Sequence, residues 1–108
     1  MKTLLTLIVV ALAVTAWSVR AADVKENYDK NCAKCHGADG KGQTKMGQKL
    51  GIKDYTDPKV QAEMKDDKSL KSLKEGMKEG DKTLMKPFDT LTDEELKALI
   101  AYMRKFKK

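Results

Sequence analysis

The chain has 108 residues, with 22 Lys+Arg against 16 Asp+Glu for a net charge of +6, one histidine and two cysteines. That length holds one domain and leaves no room for a second core. Two cysteines allow one disulfide at most, and one histidine beside them cannot complete the four ligands of a structural zinc.

Met1-Lys2-Thr3 is a short positive start, Leu4 to Val14 is almost unbroken apolar sequence, and Val19-Arg20-Ala21 sets small residues at signal-peptidase spacing. This pattern predicts a secretory signal peptide over 1–21, cleaved after Ala21 or Ala22, with 22–108 as the working domain. The apolar run is shorter than the roughly 20 residues of a comfortable membrane span, which weighs against an uncleaved anchor. A periplasmic location follows, with no span left after cleavage. Without Lys2 and Arg20 the net charge falls to +4, and only about one third of residues 22–108 are apolar. So thin a core in a small exported domain calls for a staple or a cofactor.

Asp23 with Glu26 predicts a capped helix running to about Lys34, whose face Val24, Tyr28, Cys32 repeats every four residues. Both cysteines and the histidine then fall in Cys32-Ala33-Lys34-Cys35-His36, the C-x-x-C-H pattern of covalent c-type haem attachment. Two thiols one helical turn apart can each add to a haem vinyl group, and the next residue offers an imidazole to the iron. A thioredoxin-like dithiol expects a βαβ context that is missing here. A Cys32–Cys35 disulfide would close only a tight, weakly stabilising loop.

Residues 37–54 carry Gly37, Gly40, Gly42, Gly47 and Gly51 and read as a loop over a haem edge. Asp57-Pro58 is an N-cap and first-turn proline for a short helix bearing Val60 and Met64. Leu70, Leu73 and Met77 mark a further helix that stops near Gly80. The last helix has a capping box in Thr92 and Glu95, a hydrophobic staple in Leu91 and Leu96, and basic residues at its negative end. No strand-period segment, repeat or second domain is visible.

With no second histidine, a methionine is the strong candidate for the sixth iron ligand. Met103 and Met77 continue apolar helical stripes and read as core, and Met64 pairs with Val60 on a short helix. Met85 instead precedes Lys86-Pro87-Phe88, where proline forbids a continuing helix. A thioether on a pinned loop makes Met85 the first candidate, with Met46 next.

The order C-A-K-C-H-G-A-D-G-K-G, then L-M-K-P-F, then L-T-D-E-E-L-K-A-L-I-A-Y-M-R, resembles a class I c-type cytochrome of the small bacterial monohaem kind, across essentially the whole of 22–108. The resemblance implies an all-α fold of four or so helices around one covalent haem c, with His36 and Met85 as axial ligands. It also implies crossing terminal helices that bring Tyr28 and Tyr102 together. Two departures stand out. Val24 occupies a position where many members have glycine, which loosens or shifts the crossing. Thr44-Lys45-Met46-Gly47 lacks the proline whose carbonyl usually holds the histidine ring N–H, so another backbone carbonyl must serve.

His plus Met saturates the iron, which points to a single-electron carrier and not an enzyme, and a monomer is expected. An open-site haem protein binding a small gas or peroxide is the alternative if Met85 does not ligate, and a thiol–disulfide oxidoreductase is a distant third. Lysines this numerous need not mean nucleic acid, which an exported domain does not meet. Lys34, Lys41, Lys45, Lys82 and Lys86 are placed to form a positive rim for transient contact with an acidic redox protein. Tyr55 and Lys49 are the candidates for hydrogen bonds to a haem propionate.

Overall fold

The structure, a computed structural model, describes the backbone from Ala21 to Lys108 and the side chains from Asp23 onward. The expected signal segment up to Arg20 lies outside the described residues. Six helices and one hairpin follow in order: α1 Ala21–Asn31, α2 Ala33–His36, α3 Lys45–Leu50, α4 Pro58–Glu63, α5 Asp66–Glu75, β1 Met77–Glu79, β2 Lys82–Met85 and α6 Asp93–Arg104. No described helix is long and apolar enough to cross a membrane.

The terminal helices build the core. Val24, Tyr28 and Cys32 present one buried face of α1 and the turn after it, and they meet Leu96, Leu99, Ile100 and Met103 of α6 and Leu73 of α5. Each such large apolar side chain contributes roughly 1.5–3 kcal/mol by leaving water. Tyr28 sits 4.9 Å from Tyr102 and 5.3 Å from Phe106, centroid to centroid, so the crossing is an aromatic cluster. Val24, at the position where the resemblance expects glycine, is buried in this crossing. Met103 is core, as its spacing predicts.

Local capping follows the side chains. Thr92 Oγ1 accepts from the Glu95 amide at 3.2 Å, while the Thr92 amide donates to Glu95 Oε1 at 3.1 Å, completing the predicted box. Asp57 accepts from the Lys59 amide at 2.9 Å, with Pro58 in the first turn of α4. Asp23, expected to cap α1 with Glu26, lies inside the first turn, where its carboxylate still suits the positive end of the helix dipole.

Four expectations need correction. The first helix does not run unbroken to Lys34, because the chain leaves helical geometry at Cys32, which has φ −120° and ψ −37°, and restarts as α2. The 37–54 stretch is not all loop: Thr44 caps α3 by accepting from the Gly47 amide at 2.9 Å, and Gly51 closes it in the left-handed region. The helix through Leu70 and Leu73 ends at Gly76, not near Gly80, since Gly76 has φ +78° and turns the chain away. Met77 is therefore no core residue; it stands 46% exposed on β1. Lastly, a hairpin exists where no strand was expected. Glu79 pairs with Lys82 around Gly80-Asp81, and the positive φ of Gly80 matches the first central position of a type II′ turn. Met85 thus ends a strand instead of sitting in a free loop, with Met77 as its cross-strand partner and a register irregularity just after Met77.

Candidate functional site

The segment Cys32–His36 is held from three directions. Within it, the amides of Cys35 and His36 both donate to the Cys32 carbonyl, at 3.2 and 2.9 Å. From α1, Tyr28 Oη donates to the Gly37 carbonyl at 2.7 Å. From the α3 side, Thr44 Oγ1 donates to the Cys35 carbonyl at 2.8 Å while it caps α3. A Cβ on Gly47 would collide with the Cys35 and Gly42 carbonyls, so only glycine allows α3 to lie this close. The Gly42 amide donates to the His36 carbonyl at 2.8 Å and closes the loop behind the motif.

Both cysteines are free thiols, Cys32 buried and Cys35 half-buried. Burial, with a smaller contribution from Cys35, pushes the Cys32 thiol up to about 11. Dithiol redox motifs use an accessible thiol of lowered pKa, and buried Cys32 has neither property. Burial lowers the His36 pKa and keeps the imidazole in its neutral, ligating form. Among the described residues, His36 Nδ1 is the buried side-chain nitrogen or oxygen without a hydrogen-bond partner. The backbone carbonyl expected to hold it is absent. The nearest ring is Tyr55, edge-on to His36 with centroids 5.4 Å apart.

The other predicted residues are spread around this segment. Tyr55 is half-buried beside His36, and burial raises its hydroxyl pKa. Lys49 is exposed in the last turn of α3. Met85 is half-buried against the core cluster that contains Cys32, whereas Met46 is half-buried on α3. Met64 caps α4, and its carbonyl accepts from Arg104. Lys34, Lys45, Lys82 and Lys86 are exposed and Lys41 is half-buried. Thr44 and Gln61 went unrecognised in the sequence. Thr44 followed by Gly47 carries a capping signal hidden in a glycine-rich run, whereas Gln61 on a short helix looks like any solvated residue.

Two free thiols and a neutral imidazole, on a segment braced by Tyr28 of α1 and by Thr44 at the start of α3, make a donor set that fits covalently held haem. Fold and site together define a c-type haem protein. Residues 21–107 match the cytochrome c family model, and the chain belongs to that family. It is similar to the solved structure of the KustC0563 c-type cytochrome, with a TM-score of 0.69 and 38% identity over 78% of this chain and 96% of that one. It is also similar to a tyrosine-to-phenylalanine mutant of Kustc0563, with a TM-score of 0.67 and 36% identity over 79% of this chain and 99% of that one. Comparison with curated proteins gives no match. Members of the family carry covalent haem c and transfer electrons, so this chain is an electron-transfer protein and not an enzyme.

Proposed function

We propose that the protein is an exported, periplasmic single-electron carrier in which Cys32 and Cys35 anchor the haem and His36 and Met85 ligate its iron. The observation that carries this reading is the braced segment of free Cys32, free Cys35 and neutral, half-buried His36. The bound haem supplies reversible one-electron chemistry at its iron. The chain's residues fix the ligands so that gain or loss of an electron needs little rearrangement. Tyr28 and Thr44 clamp the carbonyls on either side of His36. The Phe88 amide donates to the Leu73 carbonyl at 2.8 Å and ties the Met85-Lys86-Pro87 turn to α5. A thioether at the sixth position raises the reduction potential relative to harder ligands. Exposed Lys34, Lys82 and Lys86 favour an acidic, transient redox partner.

Visible spectra of the purified protein test the ligation. The expected result is a low-spin c-type spectrum with a methionine–iron charge-transfer band, and no response of the reduced protein to carbon monoxide. Met85→Ala should lose the band, bind carbon monoxide and drop in potential. Carbon monoxide uptake by the unmodified protein at neutral pH would overturn the assignment in favour of an open-site haem protein.

A further inference from the structure

A histidine that ligates a metal almost always donates its second ring N–H to a carbonyl, a carboxylate or water, and that bond sets the orientation of the ring. His36 departs from this, because its Nδ1 is buried and unpartnered. Its orientation must come from packing, and the ring against it is Tyr55 at 5.4 Å. What fixes Tyr55 is then the question. Its amide donates to the Gly40 carbonyl at 2.8 Å, on the loop leaving the haem motif. Its carbonyl accepts from Gln61 Nε2 at 2.6 Å.

Gln61 is 4% exposed, one of two buried polar side chains among the described residues. Burying an amide is costly unless it is satisfied, and this one is. Nε2 also donates to the Met103 carbonyl of α6 at 2.9 Å, and Arg104 donates to the Gln61 backbone carbonyl at 2.7 Å and to Oε1 at 3.4 Å. An apolar residue of the same length would fill the space, so the amide is there to join two backbone carbonyls from distant parts of the chain. One of them belongs to the residue that faces His36.

We propose that Gln61 is a positioning residue for the haem ligand: through the Tyr55 carbonyl it holds the tyrosine ring against His36, orients the imidazole by packing, and keeps water from Nδ1. This rests on the reading that His36 ligates the iron. An imidazole without an acceptor at Nδ1 is a weaker electron donor, which favours reduced iron. Water reaching Nδ1 would accept a hydrogen bond from its N–H, strengthen the donor and lower the potential.

The test uses the holoprotein with Gln61→Met and the shorter Gln61→Asn, which cannot span both carbonyls, and Asp66→Asn as control. Asp66 bonds Arg104 from the solvent side and does not touch Gln61. Midpoint potential is measured for all, and exchange of the His36 Nδ1 proton is followed by NMR in the reduced state. Both Gln61 variants should have a lower potential and exchange this proton at least about tenfold faster, with covalent haem and helix content retained, while Asp66→Asn matches the parent. Should Gln61→Met fail to fold, Gln61→Asn carries the same expectation. Unchanged potential and exchange in a folded Gln61 variant, or an equal shift in Asp66→Asn, overturns the proposal. Failure of the ligation itself is seen separately, as a parent spectrum without a low-spin, histidine-ligated signature.

Discussion

Tyr28 is wholly enclosed, and its hydroxyl is the bond that joins the first helix to the end of the haem motif at Gly37. Burial, its largest cause, raises the pKa of this phenol above the ordinary value, as burial does for Tyr55. The sign of the linkage is definite. Below about pH 10 the hydroxyl is protonated in folded and unfolded chains alike, and the stability is intact. Above it the unfolded chain releases the proton more readily, so stability falls as pH rises. Tyr28→Phe should cost about 1 kcal/mol near neutrality, from the lost bond to the Gly37 carbonyl. It should also flatten the alkaline decline, with Tyr55 responsible for the residual slope. Urea unfolding midpoints of both proteins from pH 7 to 11 provide the check.

The short hairpin is the element on which Met85 depends. Gly76 precedes it with φ +78°, and a Cβ there would stand 2.7 Å from the Met85 carbonyl and 2.9 Å from the Pro87 nitrogen. Gly76→Ala should therefore displace Met85, weaken the charge-transfer band and destabilise the protein by about 2–3 kcal/mol. Gly51→Ala supplies the control, having φ +66° but open space around it, and should cost stability without touching the band. On α6, Thr92→Ala removes one half of the capping box and should cost about 1 kcal/mol in urea unfolding, with the spectrum unchanged. These elements were not equally legible. The box at Thr92 and Glu95 and the Asp57-Pro58 cap could be read because each rests on neighbours in sequence, whereas the Tyr28–Tyr102 crossing, which joins the two terminal helices, came only from the family resemblance. The hairpin could not be read by alternation, since its strands have three and four residues and both faces of β1 are exposed. Its one signal was Gly80-Asp81. Met77 misled because it continues the Leu70, Leu73 spacing, while the positive φ of Gly76 interrupts the helix that the spacing assumes. The haem c cofactor was legible from the Cys32–His36 motif alone. The bracing by Thr44 and Gln61 was not, because it joins residues up to 42 apart in sequence.

At the scale of the molecule, residues 22–108 carry net +4, which ionised haem propionates and the iron reduce to about +3 oxidised and +2 reduced by charge counting. If the exposed Lys34, Lys82 and Lys86 steer an acidic partner, electron-transfer rates with such a partner should fall steeply between about 10 mM and 0.5 M salt, as the Debye length shrinks. Stopped-flow rates over that range decide it, and a flat profile refutes steering. The closure of the fold by α6 has a further consequence, in the order of events during synthesis. Cys32 is 7% exposed in the closed fold and shares a cluster with Leu96, Leu99 and Ile100, which are made some sixty residues after it. A thiol so covered cannot be presented to an attachment apparatus, so haem must be joined while the C-terminal helix is still undocked. The thioethers come first in time, and packing then seals them. A chain truncated before Asp93 should still gain the mass of one haem when produced in a cell that attaches haem c, although it cannot close.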